Sequence, residues 1–408
     1  PYFDEAFDGS YPDDSPVTLD DLQVLYPEIS ARTKTDADLA EAARRATLEL
    51  QGGRVGYRAL WQHFVDVTLE SQRQDVADLG VHFDLWYGES TVADDLDPLI
   101  GSLLDDAVAR KSAGATVIDV AKDDDKAEIP PLLLAKSDGA ALYTTTDLAT
   151  LKMRIDVLGA KEVLYVVDAR QSLHFEQVFR AARKAGIAGP DIALEHVDHG
   201  TINGPDGSPL KTRDGGVPPL HGLIADAKAA AAARVEEARI GVDLTDEERA
   251  EVATEVAAAA LKFGDLINHR TSNYIFDLDR FTSFEGKTGP YLQYATVRIQ
   301  SILRKAAEAG LEPGTPIPAS DAAERALILK LATIPETITR AWDLRAPNHI
   351  AEAAYDLAGA FNRFYEACHI LREEDPARQE SWLQLAATTH RALTLLLGLL
   401  GIAVPDRM

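Results

Sequence analysis

Cysteine and long apolar runs are what this 408-residue sequence has least of. Its one cysteine, Cys368, excludes an internal disulfide and any zinc site built from several cysteines, and it fits a reducing cytosol. No apolar run reaches the roughly 18 residues that a membrane-spanning helix needs. The first residues show no basic segment followed by an apolar stretch, so the sequence predicts neither a signal peptide nor a membrane protein.

Positive charge is also scarce. The chain has 41 Lys and Arg against 66 Asp and Glu, a formal net charge of −25. This balance argues against a protein that binds nucleic acid through a general electrostatic surface, but it leaves open RNA binding by a local surface of specific shape. The length favours two or three domains, and 46% hydrophobic with 26% charged residues is a soluble globular composition.

The apolar pattern changes along the chain. Residues 17–80 predict helices, and the alternating, aromatic-rich stretch 81–87 predicts a strand. Strand and helix then alternate up to residue 197, which predicts an α/β fold with a doubly wound parallel sheet. The charged segment 122–128 within this part is interpreted as a solvated turn. After Gly216 the pattern is helical, and the predicted helices cover residues 225–238, 245–268, 291–309, 320–342, 350–372 and 382–400.

Acidic and aromatic side chains follow the predicted strands. Tyr143 and Asp147 lie one turn apart on a helix, where a carboxylate can hold a guanidinium while the ring packs along its stem. The equal alternative is that Asp147 only caps the helix. Glu89 is either a second acid facing the same cation or an exposed loop acid. Gln171 and His174 open the next helix, a position that suits anionic or nucleotide groups, although His174 alone fits a structural histidine better.

Two further segments have alternative interpretations. Lys211 and Arg213 lie in a glycine- and proline-rich loop and suit a triphosphate, or they are incidental charges of a surface hairpin. Tyr291, Tyr294 and Arg298 share one helix face at i, i+3 and i+7. Such a face can stack unpaired bases, but it is more often bundle core with a satisfied arginine.

Taken together, these residues resemble those of a known family, the arginyl-tRNA synthetases, which are class I aminoacyl-tRNA synthetases. The resemblance is carried by Glu89, Tyr143, Asp147, Gln171 and the segments 289–298 and 404–408. It runs over essentially the whole chain, most clearly from residue 132 onward. It implies a Rossmann-type parallel catalytic domain over residues 1–217, with helical insertions at about 1–80 and 91–136. A helical, all-α anticodon-binding domain is implied over residues 218–408.

The resemblance implies an arginine–tRNA ligase that uses ATP, with Mg²⁺ accompanying the nucleotide, to form arginyl-adenylate and charge tRNA(Arg). It also implies a cytoplasmic monomer without a metal site of its own and without membrane attachment. The implied arginine ligands are Glu89, Tyr143, Asp147 and Gln171. The implied ATP contacts are His174, Gln177 and Lys211, and the implied catalytic groups are Lys211, Arg213 and His174. The implied tRNA contacts are Tyr291, Tyr294, Arg298, Tyr365 and Met408.

The sequence departs from the family in one respect that bears on activity. It contains no His-x-Gly-His, the signature with which class I synthetases hold ATP, and the family's N-terminal domain is also absent. Because the chain begins with Pro1, we expect it to be the C-terminal two-thirds of a longer synthetase. The alternatives are a non-catalytic paralogue or split subunit that binds tRNA or arginine, and an arginine sensor that binds no RNA.

Overall fold

The computed structural model describes residues 18–137, 139–204, 207–208, 220–240 and 244–408. They form two compact units, each described here by itself. The α/β unit comprises the described residues of Phe83–Ile202 and His269–Tyr274. The helical unit comprises those of Pro1–His82, Asn203–Asn268 and Ile275–Met408. The predicted domain boundary at residues 217 and 218 lies outside the described residues and stays a prediction.

Three helices open the described chain, as the sequence predicted. They are α1 (Leu19–Arg32), α2 (Ala37–Gln51) and α3 (Val55–Asp78). Thr18 and Asp21 form a capping box at the start of α1, and the Asp36 side chain caps α2. The strand predicted at 81–87 is wrong, because this segment lies outside the strands of the described chain. The alternation of apolar side chains in this segment is typical of a strand. A strand also needs a neighbouring strand whose backbone can form hydrogen bonds with it.

The α/β unit contains two sheets and their helices. Its elements are the 3₁₀ helix Glu89–Asp95, α4 (Leu96–Asp105), β1 (Arg110–Ser112), β2 (Ala115–Ile118), β3 (Leu132–Ala135), α5 (Tyr143–Asp156), β4 (Glu162–Asp168), the 3₁₀ helix Ala169–Gln171, α6 (Ser172–Lys184) and β5 (Ala193–His199). Strands β1, β2 and β3 are antiparallel, whereas β4 and β5 pair in parallel from Glu162↔Ala193 to Asp168↔His199. The parallel pair and its crossover helix α6 agree with the α/β prediction. Val163 and Tyr165 of β4 enter a core shared with α5 and α6.

The charged segment 122–128 is not simply a solvated turn. Arg180 of α6 binds the Asp125 carboxylate through two nitrogens at 2.8 and 2.7 Å. This hydrogen-bonded guanidinium lowers the pKa of Asp125 to about 2. Lys184 donates to the Asp119 carbonyl at 2.8 Å, so α6 fastens the segment between β2 and β3. The periodicity of the sequence could not indicate the ion pair of Arg180 and Asp125, because the two residues are 55 positions apart.

The remaining elements form the helical unit, apart from two short paired strands. In chain order they are β6 (Ile202–Asn203), α7 (Leu220–Glu237), α8 (Asp246–Leu266), β7 (Tyr274–Ile275), α9 (Leu278–Phe281), α10 (Gly289–Glu308), α11 (Ala322–Ala332), α12 (Ile334–Asp343), α13 (Asn348–Ala367), the 3₁₀ helix Ile370–Arg372 and α14 (Pro376–Leu399). The predicted single helix 320–342 is wrong, since Pro335 in the first turn of α12 cannot donate a backbone hydrogen bond. None of the described helices combines the length and apolar composition that crossing a membrane requires.

The core of the helical unit is built from the facing sides of α8, α10, α13 and α14. Phe263, Leu292, Phe361 and Phe364 are its large buried side chains. Cys368 ends α13 inside this core, and burial raises the pKa of its thiol to about 11. The interpretation of this cysteine as a small buried hydrophobe is therefore confirmed.

Candidate functional site

The end of strand β4 positions the first part of the candidate site. Asp168 closes the strand, and its Oδ1 accepts the Arg170 backbone N–H at 2.8 Å, which turns the chain into the 3₁₀ helix. The Arg170 side chain also binds this carboxylate, and that hydrogen bond is the main reason why the pKa of Asp168 falls to about 2. The turn brings α6 back beside α5. It leaves Gln171 exposed at the junction and His174 in the first turn of α6.

Strand β3 fixes the second part, helix α5. The hydroxyl of Thr145 donates to the Leu134 carbonyl at 2.7 Å, and the hydroxyl of Thr144 donates to Leu133. These two bonds tie the first turn of α5 to β3. The helix begins at Tyr143, and Leu142 occupies its N-cap position. The alternative that Asp147 merely caps this helix is therefore wrong, and its carboxylate is available for another role.

Asp147 and His174 meet where the two helices face each other. His174 Nε2 lies 2.7 Å from Asp147 Oδ2, and the side chains are 12% and 30% exposed, respectively. The ring of Tyr143 packs on the imidazole with a centroid distance of 4.9 Å. Three predicted site residues thus form one group, with an acid, an imidazole and an aromatic wall. The Tyr143 side chain is 61% exposed, so this group borders solvent.

Tyr165 of β4 lies beneath this group. Its ring contacts Phe175 at a centroid distance of 4.7 Å, and Arg154 lies 5.2 Å from the ring centroid. Burial is the main cause that raises the pKa of Tyr165; the charge of Asp147 acts in the same direction and that of Arg154 against it. Tyr165 therefore adds a buried aromatic ring close enough to Asp147 for the charge of that carboxylate to act on it. Sequence reasoning missed Tyr165, whose position in an alternating strand signals only burial.

The other residues predicted to bind arginine or ATP differ in their surroundings and in whether the structure describes them. Glu89 is exposed and begins the 3₁₀ helix that packs against α5. Gln177 donates its side-chain amide to the Pro130 carbonyl at 2.7 Å, so in this structure it holds the loop before β3. Lys211 and Arg213 lie outside the described residues.

A second candidate surface joins α10 and α13 in the helical unit. Tyr291 is half-buried and accepts a hydrogen bond from Asn362 Nδ2 at 3.1 Å. Its ring contacts Tyr355 at 5.6 Å, and Lys287 lies 5.4 Å from the Tyr355 ring centroid. Sequence reasoning missed Tyr355 and Lys287. The spacing of Tyr355, Asn362 and Tyr365 at i, i+7 and i+10 could have indicated a shared face.

The same surface continues at Arg298 and Tyr365. The Arg298 guanidinium lies 5.0 Å from the Tyr365 ring centroid, and Tyr365 stacks on Phe361 at 6.2 Å. Tyr294 is 43% exposed. Met408 packs against the small core of α7 and α8. The structure therefore brings together Tyr291, Arg298 and Tyr365 through the α10–α13 packing, whereas Met408 contributes to the packing of α7 and α8.

A metal site in the part of the chain that the structure describes would need several ligand side chains close together among its residues. No group of three or more His, Cys, Asp or Glu side chains among those residues is arranged to hold a metal ion. Both candidate surfaces instead combine aromatic rings with a few charged or amide groups, an arrangement typical of sites for organic ligands.

Comparison with known families divides the chain in two. The family described as "tRNA synthetases class I (R), catalytic domain" matches residues 3–278. The "DALR anticodon binding domain" matches residues 292–408. The first match contains the Asp147–His174 group, and the second contains the Arg298–Tyr365 surface.

Individual relatives agree with both matches. The chain is 52% identical over 411 residues to the arginine–tRNA ligase of Maricaulis maris, covering 100% of this chain and 69% of the relative. It is 48% identical over 409 residues to the corresponding protein of Hyphomonas neptunium, again covering 100% and 69%. The chain thus spans about two thirds of the length of these relatives.

Solved structures resemble this chain over most or all of its length. The arginyl-tRNA synthetase of Thermus thermophilus superimposes with a TM-score of 0.78 at 27% identity, over 93% of this chain and 69% of that one. The enzyme of Plasmodium falciparum gives a TM-score of 0.80 at 23% identity, over 100% and 66%, and at this identity it supports the fold alone.

Proposed function

The chain belongs to the arginyl-tRNA synthetases, a family of class I aminoacyl-tRNA synthetases, and from this premise we propose that it acts in joining arginine to tRNA(Arg). In the proposed reaction the arginine carboxylate attacks the α-phosphate of ATP, which forms arginyl-adenylate and releases pyrophosphate. The 3′-terminal adenosine of the tRNA then takes the arginyl group, and AMP leaves. Neither step needs a side-chain nucleophile, so the protein contributes positioning and charge stabilisation.

The observation that carries the proposal is the Asp147 carboxylate between Tyr143 and His174. A carboxylate with an aromatic ring in the same group favours a planar cation that can hydrogen-bond and stack, which describes a guanidinium better than an ammonium. Asp147 binds the guanidinium in this proposal, and the exposed ring of Tyr143 covers the methylene stem of arginine. Glu89, on the 3₁₀ helix packed against α5, supplies the second acid. Gln171 contributes its amide at the rim of the same pocket.

The α10–α13 surface binds the anticodon region of tRNA in this proposal. Tyr291, Tyr294 and Tyr365 supply rings for base stacking, and Arg298 and Lys287 supply positive charge. These cations are local, so a chain with a net charge of −25 can still hold RNA at this surface. The proposal extends to Met408 only as a residue that fixes the end of the chain against α7 and α8.

ATP is the nucleotide substrate of the proposed reaction. Lys211 and Arg213 are proposed to neutralise its phosphates, on the basis of their charge and their glycine-rich surroundings in the sequence alone. Mg²⁺ accompanies the ATP as its phosphate complex in this proposal. No step of the proposal depends on protein ligands to the metal.

Charging of bulk tRNA with labelled arginine tests this function. The full-length relative from Maricaulis maris serves as the positive control. Asp147→Asn is expected to abolish arginine use, and Asp156→Asn is the matched control, since Asp156 lies on the same helix but pairs with Lys152 on the surface. If the unaltered chain charges tRNA, equal charging by Asp147→Asn would show that the pocket is assigned to the wrong residue.

A second candidate, which the sequence left open, is a non-catalytic protein that binds arginine or tRNA. Binding of tRNA and arginine without charging would support it. Filter binding at low salt measures the RNA part, and Tyr365→Ala is expected to weaken it. Tyr26→Ala is the control, because Tyr26 is 68% exposed on α1 and far from α13 in sequence. A chain that binds arginine but no tRNA would point to an arginine sensor.

A further inference from the structure

One side chain in the proposed pocket has a role that the reaction alone does not assign. His174 lies against Asp147, with Nε2 at 2.7 Å from Oδ2, so one of the carboxylate oxygens already has a protein partner. A carboxylate offers about four lone-pair sites, and a single imidazole uses one of them. Asp147 can therefore hold His174 and a guanidinium at the same time.

The surroundings of Nδ1, the other ring nitrogen of His174, indicate which nitrogen carries the proton. His174 Nδ1 is buried and has no hydrogen-bond partner among the described residues. A buried N–H without a partner costs more than a buried lone pair, particularly on a cation. This geometry favours the tautomer that carries its proton on Nε2 and donates it to Asp147 Oδ2.

Packing holds this donor in place. The His174 ring lies between the Tyr143 ring, at 4.9 Å, and the Phe175 ring, at 5.0 Å. Only 12% of the side chain is exposed, which leaves the imidazole little freedom to turn away. The aromatic residue that forms the pocket wall therefore also fixes the group that orients the acid.

We propose that His174 is a positioning residue that sets the direction of the Asp147 carboxylate and so determines selectivity for a guanidinium. This inference rests on the proposed arginine pocket. In this role the imidazole acts through Asp147. Its single requirement is an N–H donor at the position of Nε2.

Isothermal titration of this chain with arginine and with citrulline, its uncharged analogue, tests the role. His174→Leu is expected to weaken arginine binding about tenfold or more, the range for a lost hydrogen bond to a charged group. Citrulline binding should change much less, so the preference for arginine falls. His174→Gln keeps an N–H donor at a similar reach, and its arginine affinity should stay within about threefold of the unaltered chain. Circular dichroism and melting establish that both variants are folded.

The other possible outcomes distinguish a failure of the positioning role of His174 from a failure of the proposed arginine pocket. Unchanged arginine binding by Asp147→Asn, or none by the unaltered chain, contradicts the pocket itself. Loss of binding in Asp147→Asn with normal binding in His174→Leu contradicts only the positioning role. Tighter binding by His174→Leu would show that the imidazole competes with arginine. Equal losses in His174→Leu and His174→Gln would show that the donor is not what the pocket uses.

Discussion

Replacing Gly289 with alanine is the change for which the structure makes the sharpest prediction. Gly289 is the first residue of α10, and the cap residue Thr288 accepts the Tyr291 N–H at 3.2 Å. A Cβ added at Gly289 would lie 2.1 Å from the Ala259 carbonyl oxygen and 2.5 Å from its carbon. The glycine is therefore needed because the backbones of α8 and α10 approach each other closely.

The size of the effect follows from that distance. A carbon and a carbonyl oxygen normally approach no closer than about 3.3 Å, so α10 would have to move by about 1.2 Å. Overpacking of a core costs roughly 1–3 kcal/mol, and the upper end applies here because the opposing atoms are backbone and cannot change rotamer. For a unit of this size about 3 kcal/mol corresponds to a fall of roughly 5–10 °C in melting temperature.

Calorimetric melting of the two variants Gly289→Ala and Gly398→Ala measures the difference. Gly398 lies near the end of α14 in the same unit, and a Cβ there meets nothing within 4 Å. Its replacement should leave stability unchanged or raise it by up to about 1 kcal/mol, since alanine favours the helix. Melting of Gly289→Ala within about 1 °C of the unaltered chain would refute the close approach of α8 and α10.

Two further predictions concern acidic side chains that are paired with arginine. Asp125 has a pKa of about 2 because Arg180 binds it, so its contribution is complete above the ordinary value of 3.8 and is lost as pH falls towards 2. The protection of the segment after β2 against hydrogen exchange, relative to the intrinsic rate at each pH, should therefore fall between those pH values, and in Asp125→Asn it should be low already at neutral pH. Glu324 is 1% exposed, accepts the Ser320 N–H at 2.9 Å and lies 3.8 Å from Arg378. Glu324→Ala should cost about 2–3 kcal/mol in urea unfolding, whereas a cost below about 0.5 kcal/mol would show that the ion pair is immaterial.

The helices were predictable wherever the signal is local. The apolar period and end residues gave α8, which begins with a capping box of Thr245 and Glu248, and α10, which begins after Thr288 with Pro290 in its first turn. Pro335 could have predicted the break between α11 and α12 by the same local rule. The segment 81–87 shows the limit, because its alternation resembles a strand but pairing depends on a distant backbone.

The candidate site was only partly predictable. The spacing of four positions from Tyr143 to Asp147 places both residues on one helix face, and the sequence determined this by itself. Asp147 and His174 are 27 positions apart and share no such constraint, so the hydrogen bond between them comes from the packing of α5 against α6. The same holds for Asp125 and Arg180, which are 55 residues apart. The sequence by itself thus determined most of the helices and the candidate site residues. Only the tertiary structure decided which of those residues bond to each other. The reason is that a hydrogen bond needs two atoms about 3 Å apart in space, whatever their distance along the chain.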